Sequence, residues 1–188
     1  MFTFPNSEKI VCVTNRGLCP LPLEEQTERI AAAGVKRIIL REKDLSEDEY
    51  ISLAERVLES CNRCGTELII HSFPQAARWL GIGKIHMPLN LLTAELCEEF
   101  DVVGSSIHSL EQLETAQKLG AAYVTAGHIF ATDCKRNLPP RGLDFLSDIC
   151  KSADIPVLAI GGINAENMQS ALDSGAKGVC IMSGLMKI

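Results

Sequence analysis

The sequence predicts an α/β fold, a closed (β/α)8 TIM barrel, and three observations carry the prediction. Short apolar runs alternate with amphipathic stretches from one end of the chain to the other, the pattern of parallel strands joined by helical crossovers. The apolar runs are brief and rich in β-branched residues, as strands covered on both faces are. A glycine joint recurs three times, with Gly34, Gly120 and Gly175 each placed just ahead of such a run, where glycine supplies a left-handed helix stop. A doubly wound open sheet is the alternative arrangement of the same units.

Taken in order, the expected strands cover residues 10–14, 37–41, 67–71, 84–87, 102–106, 123–127, 156–161 and 178–182. Helix starts are marked by Ser46 with Glu49 and by Ser109 with Gln112. Both pairs have the capping-box spacing, in which a hydroxyl and a carboxylate or amide satisfy backbone donors reciprocally. Only a few residues follow the eighth strand before Ile188, so the C-terminal closing helix is expected to be missing or shortened. At 188 residues, one domain spanning 1–188 is expected.

Composition excludes several classes. Eighteen Lys and Arg against 24 Asp and Glu give a net charge of −6, which argues against a nucleic-acid partner. No apolar run is long enough to cross a bilayer, and the first 15 residues lack the pattern of a secretory signal, so no membrane partner and a cytoplasmic location are expected. The eight cysteines are scattered and read as small buried thiols; Cys61 and Cys64, spaced as a redox or zinc pair would be, have no second such pair.

Active sites of such barrels gather at the C-terminal ends of the strands. His71, His86, His108 and His128 all fall at or just beyond the ends of expected strands three to six, and Arg41 with Lys43 closes strand two. Alternation along a strand would turn Arg41 and Lys43 to the same face. Gly161 and Gly162 end strand seven, Ser183 and Gly184 end strand eight, and bare backbone N–H groups with a helix start behind them suit a phosphate. Residues 127–142 are too polar and proline-rich for a helix and read as a lid carrying Lys135. Few acidic residues stand at the strand ends, and the first strand has no His-x-His, so no metal is expected.

These residues place the chain beside a known family. Leu40-Arg41-Glu42-Lys43-Asp44, Gly104-Ser-Ser106-Ile-His108-Ser109, Gly127-His128-Ile-Phe-Ala-Thr132-Asp-Cys-Lys135, Ala159-Ile-Gly161-Gly162-Ile163 and Met182-Ser183-Gly184 resemble, in order, the marks of the thiamine-phosphate synthase superfamily. The stretch around His128 is similar to the TenI branch, the thiazole tautomerases, where the synthase branch usually has proline. A synthase uses Mg²⁺ held by Asn-Asp after strand three and Asp after strand four. Here those places read His71-Ser72 and 86–91, without a carboxylate, and Ile39 replaces the usual glutamine. The resemblance therefore implies a cofactor-free isomerase acting on a small phosphorylated thiazole in thiamine biosynthesis. It nominates His128 for acid–base catalysis, with His71 or His108 next in line. Arg41, Lys43, Ser106, Thr132 and Lys135 would bind substrate, and Gly161, Gly162, Ser183 and Gly184 its phosphate. A homo-oligomer is compatible with the sequence. The alternatives are a thiamine-phosphate synthase and a non-catalytic regulatory homologue that binds a phosphorylated ligand.

Overall fold

The structure is a computed structural model that describes residues 6–132 and 138–188. Lys135 therefore lies outside the described residues, as do residues 133–137 of the expected lid as a whole. Eight parallel strands are joined in sequence order as a closed barrel: β1 Ile10–Val13, β2 Arg37–Leu40, β3 Glu67–His71, β4 Lys84–Pro88, β5 Val102–Ile107, β6 Tyr123–Gly127, β7 Val157–Ile160 and β8 Gly178–Ile181. The helices are α1 Leu23–Ala32, α2 Glu47–Cys64, α3 Pro74–Leu80, α4 Ala94–Glu99, α5 Leu110–Lys118, α6 Gly142–Ser152 and α7 Met168–Asp173. Every residue of β1 and β8 is buried, as parallel strands covered on both faces require.

Two compact units make up the chain, one of residues 1–86 with 182–188 and one of residues 87–181. In the first, α2 begins with a complete capping box at Ser46 and Glu49 and stops at Gly65, whose φ is 62°. Tyr50, one turn into α2, is fully buried and stacks on Phe73 with ring centroids 4.2 Å apart. Its hydroxyl donates to the Leu40 carbonyl at 2.6 Å and accepts from the His71 N–H at 3.1 Å, tying the ends of β2 and β3 together. No helix follows β8 among the described residues; the Leu185 and Met186 N–H groups both bond the Met182 carbonyl in a single turn. Gln26 of α1 holds that segment through Nε2, which donates to the Leu185 carbonyl at 2.7 Å.

In the second unit, the expected capping box at Ser109 forms only in part. Ser109 accepts from the Gln112 N–H, but the Gln112 side chain reaches one residue further back, to the His108 N–H at 2.6 Å. Gly120 and Gly175 hold φ of 91° and 104°, the left-handed stops read from the sequence. No disulfide joins the described cysteines. Cys61 lies in the last turn of α2 with its thiol pushed up to about 12 by burial, the opposite of the thiolate that redox exchange needs. No helix of the described residues is long and apolar enough to cross a membrane.

Candidate active site

In the first unit, β2 stops at Leu40, so Arg41 and Lys43 belong to the turn beyond it rather than to one face of the strand. That turn is built by residues the sequence reading passed over. Glu42, only 3% exposed, accepts from the Thr14 hydroxyl at 2.7 Å, from the Arg16 backbone at 3.0 Å and from the Arg16 guanidinium at 3.0 Å. The same guanidinium grips Asp44 through two bonds of 2.8 and 2.6 Å. Bidentate contact to a carboxylate is the strongest such pairing, and it draws the Asp44 carboxyl below its ordinary range. Thr14 also accepts the Arg41 N–H at 2.8 Å. The acidic residues of the 40–44 motif thus fix the turn, while the basic pair remains half-buried at Arg41 and exposed at Lys43.

Two imidazoles stand beside that basic pair. His71 and His86 are register partners on β3 and β4, with ring centroids 5.6 Å apart. Both are buried and both are lowered to about 3, by desolvation first and then by neighbouring charge; Lys43 acts on each, and Arg41 and His86 also act on His71. Lys43 is itself lowered by desolvation and by Arg41. The Ser72 hydroxyl lies 2.7 Å from His71 Nδ1. These neutral, buried groups do not fit Mg²⁺, a hard cation that selects carboxylate and carbonyl oxygens. Among the described residues no group of three or more His, Cys, Asp or Glu is arranged to hold a metal ion.

In the second unit, His108 follows β5 and His128 follows β6. His128 is 6% exposed, with Nε2 3.3 Å from the Leu138 carbonyl oxygen. The chain beyond it keeps pairing with the end of β7: the Ile129 N–H donates to the Ile160 carbonyl and the Phe130 N–H to the Gly161 carbonyl, both at 3.0 Å. The return stretch is fixed as well, with the Arg141 N–H on the His128 carbonyl and the Gly142 N–H on the Ile129 carbonyl. Ser106 accepts from the Thr125 hydroxyl at 3.1 Å, and Thr132 is half-buried.

Gly161 and Gly162 have a role the sequence did not reveal. A Cβ on Gly161 would lie 2.4 Å from His128 Cβ, and one on Gly162 would lie 2.3 Å from the Ala131 carbonyl. With φ of 100° and 67°, both let residues 128–131 lie against the β7 turn. A bulky residue at 162 would therefore displace that segment. The expected helix dipole behind the glycines is also absent, because α7 starts only at Met168. Asn164 and Asn167 instead close the intervening turn on each other, and Asn167 donates to the Gly162 carbonyl at 2.9 Å. Any anion here would meet backbone N–H groups without a helix terminus directly behind them. In the first unit, Ser183 and Gly184 are exposed at the start of the turn after β8.

Comparison with known proteins agrees with this architecture. A family model described as thiamine monophosphate synthase matches residues 10–185. The chain is 32% identical over 181 residues to the thiamine-phosphate synthase of Syntrophomonas wolfei, covering 93% of this chain and 86% of that protein. It is 34% identical over 184 residues to the thiamine-phosphate synthase of Fusobacterium nucleatum, covering 95% of this chain and 89% of that protein. A solved structure of thiamine phosphate pyrophosphorylase from Pyrococcus furiosus is similar with a TM-score of 0.84 at 26% identity, over 96% of this chain and 88% of that one.

Proposed function

The chain belongs to the thiamine monophosphate synthase family, and we propose that within it this chain is a thiazole tautomerase rather than a synthase. The observation that carries the reading is the neutral pair of His71, which ends β3, and His86, its register partner within β4. A synthase of the resembled pattern has metal-binding carboxylates in this region, needed to neutralise a departing pyrophosphate. A tautomerase leaves its phosphate untouched and has no such charge to neutralise.

The substrate in this reading is a carboxylated thiazole phosphate whose ring carries an exocyclic double bond. His128 takes the proton from ring carbon two, and the C–H electron pair enters the ring. The exocyclic π pair then takes a proton from the imidazolium at the side-chain carbon, giving the aromatic isomer with no net gain or loss of atoms. A single imidazole serves both transfers because its base form can take the first proton and its acid form can return one. Arg41 and Lys43, with Lys135 from outside the described residues, supply positive charge for the substrate carboxylate and for charge that develops on the ring. Gly161, Gly162, Ser183 and Gly184 offer backbone donors to the phosphate, and Ser106 and Thr132 offer hydroxyls.

The names of the curated relatives favour a second reading, thiamine-phosphate synthesis. One assay separates the two. Purified protein is incubated with the exocyclic thiazole isomer in one arm, and with the pyrimidine pyrophosphate, the thiazole phosphate and Mg²⁺ in the other. Conversion to the aromatic carboxythiazole without added metal is expected in the first arm. Thiamine phosphate formed at an enzyme-like rate in the second would make the chain a synthase.

A further inference from the structure

We infer that His108 is a positioning residue for His128, and that the atom of His128 that moves protons is Nδ1. The catalytic part of this inference rests on the tautomerase reading; the tautomers it requires do not. His108 Nδ1 lies 2.7 Å from the Gly127 carbonyl oxygen. A carbonyl oxygen only accepts, so Nδ1 of His108 carries the proton. That carbonyl belongs to the peptide leading directly into His128, so the His108 ring restrains the plane from which the His128 side chain departs. The restraint is anchored at its other end, because the His108 N–H donates to Gln112 Oε1 at 2.6 Å within the first turn of α5.

The same reasoning fixes the ring of His128. Its Nε2 faces the Leu138 carbonyl oxygen at 3.3 Å, so the neutral ring keeps its proton on Nε2 and its lone pair on Nδ1. The Leu138 stretch is steadied by the neighbouring bonds from Arg141 and Gly142 back to His128 and Ile129. When Nδ1 takes the substrate proton, the ring becomes an imidazolium and the bond to Leu138 becomes charge-assisted and stronger. The contact that selects the base form therefore also stabilises the acid form between the two transfers. Nδ1 then returns a proton to the side-chain carbon, and the ring regains its starting tautomer.

The test uses the full chain labelled with ¹⁵N-histidine. Long-range proton–nitrogen correlation spectra at neutral pH are recorded, and the His128 signals are assigned by their loss in His128→Asn. A protonated Nε2 with an unprotonated Nδ1 is expected. His108→Leu should shift the His128 signals toward an average of the two tautomers and lower kcat on the order of tenfold, as a small misplacement of a reacting group does, with KM within about twofold. His108→Asn, whose amide nitrogen can donate to the same carbonyl, should restore most of both. A wild-type ring protonated on Nδ1 overturns the inference even if His108→Leu fails to fold. Unchanged His128 signals in a folded His108→Leu variant overturn the positioning role. If the tautomers appear as expected but no thiazole is converted, the clamp stands and the tautomerase reading falls.

Discussion

Each of the two units of the chain carries two of the histidines, and the two pairs are chemically opposite. His71 at the end of β3 and His86 within β4 face each other, buried beside Arg41 and Lys43, and burial with positive neighbours holds both neutral down to about pH 3. His108 and His128 follow β5 and β6, and each directs one ring nitrogen at a backbone carbonyl, of Gly127 and Leu138. The first environment withholds the proton a base must accept. The second assigns one nitrogen as donor, and for His128 this leaves Nδ1 as the nitrogen able to accept. Position at or near a strand end does not by itself make an imidazole a proton relay; what its two nitrogens face decides that.

The largest expected effect tests that contrast directly. His128→Asn keeps a hydrogen-bonding side chain but cannot relay a proton, and turnover should fall by about a hundredfold or more with KM largely kept. His86→Asn should act mainly on stability, seen as a lower denaturation midpoint. Steady-state kinetics in which His86→Asn lost as much turnover per folded molecule as His128→Asn would erase the distinction.

The next effect concerns how the first pair is held. Tyr50→Phe removes the hydroxyl that joins the Leu40 carbonyl to the His71 N–H. Leaving those two buried groups without this partner should cost about 1–3 kcal/mol in urea unfolding. A variant as stable as wild type would mean that the ends of β2 and β3 need no such tie.

A smaller effect per pH unit follows from the lowered imidazoles. Below about pH 6.5 the unfolded chain takes up protons that His71 and His86 refuse when folded, so their contribution is fully present above that value. It is lost progressively as the pH falls toward about 3. Each imidazole should contribute a slope of at most about 1.4 kcal/mol per pH unit in that window. Replacing His71 by leucine should flatten the stability profile there, and an unaltered profile would show that the imidazole titrates normally. The smallest effect is Ser46→Ala, which opens the capping box of α2 and should cost about 1 kcal/mol of thermal stability.

Much of this was legible in the amino-acid order. Strand limits agree to within one residue at each end, because parallel strands buried on both faces announce themselves as short β-branched runs between glycine stops. The histidines and the Arg41–Lys43 pair were found for the same reason, as polar residues interrupting apolar runs at strand ends. What stayed hidden depends on contacts between residues distant in sequence. Glu42 and Asp44 appear as two acids among two bases, and nothing local says that Arg16, far upstream, is their partner. The closeness of Gly161 to the His128 side chain is likewise invisible until β6 and β7 are paired. Leu138 reads as one more loop residue, since a functional backbone carbonyl leaves no trace in residue type.

The turn after β2 has a further consequence for how the protein meets its ligand. Residues 41–44 carry two positive and two negative side chains, so the stretch sums to zero charge. Its anions are spent on Arg16, and Arg41 and Lys43 make no ion pair among the described residues. The segment sorts charge by partner, its acids held at bonding distance by Arg16 and its bases left to act at longer range. Dissolved salt discriminates between the two, since screening acts on exposed charges at a distance and much less on close contacts to a buried group such as Glu42. If the proposed function holds, raising the ionic strength should therefore weaken capture of the anionic thiazole while leaving the turn, and with it the placement of the two cations, intact.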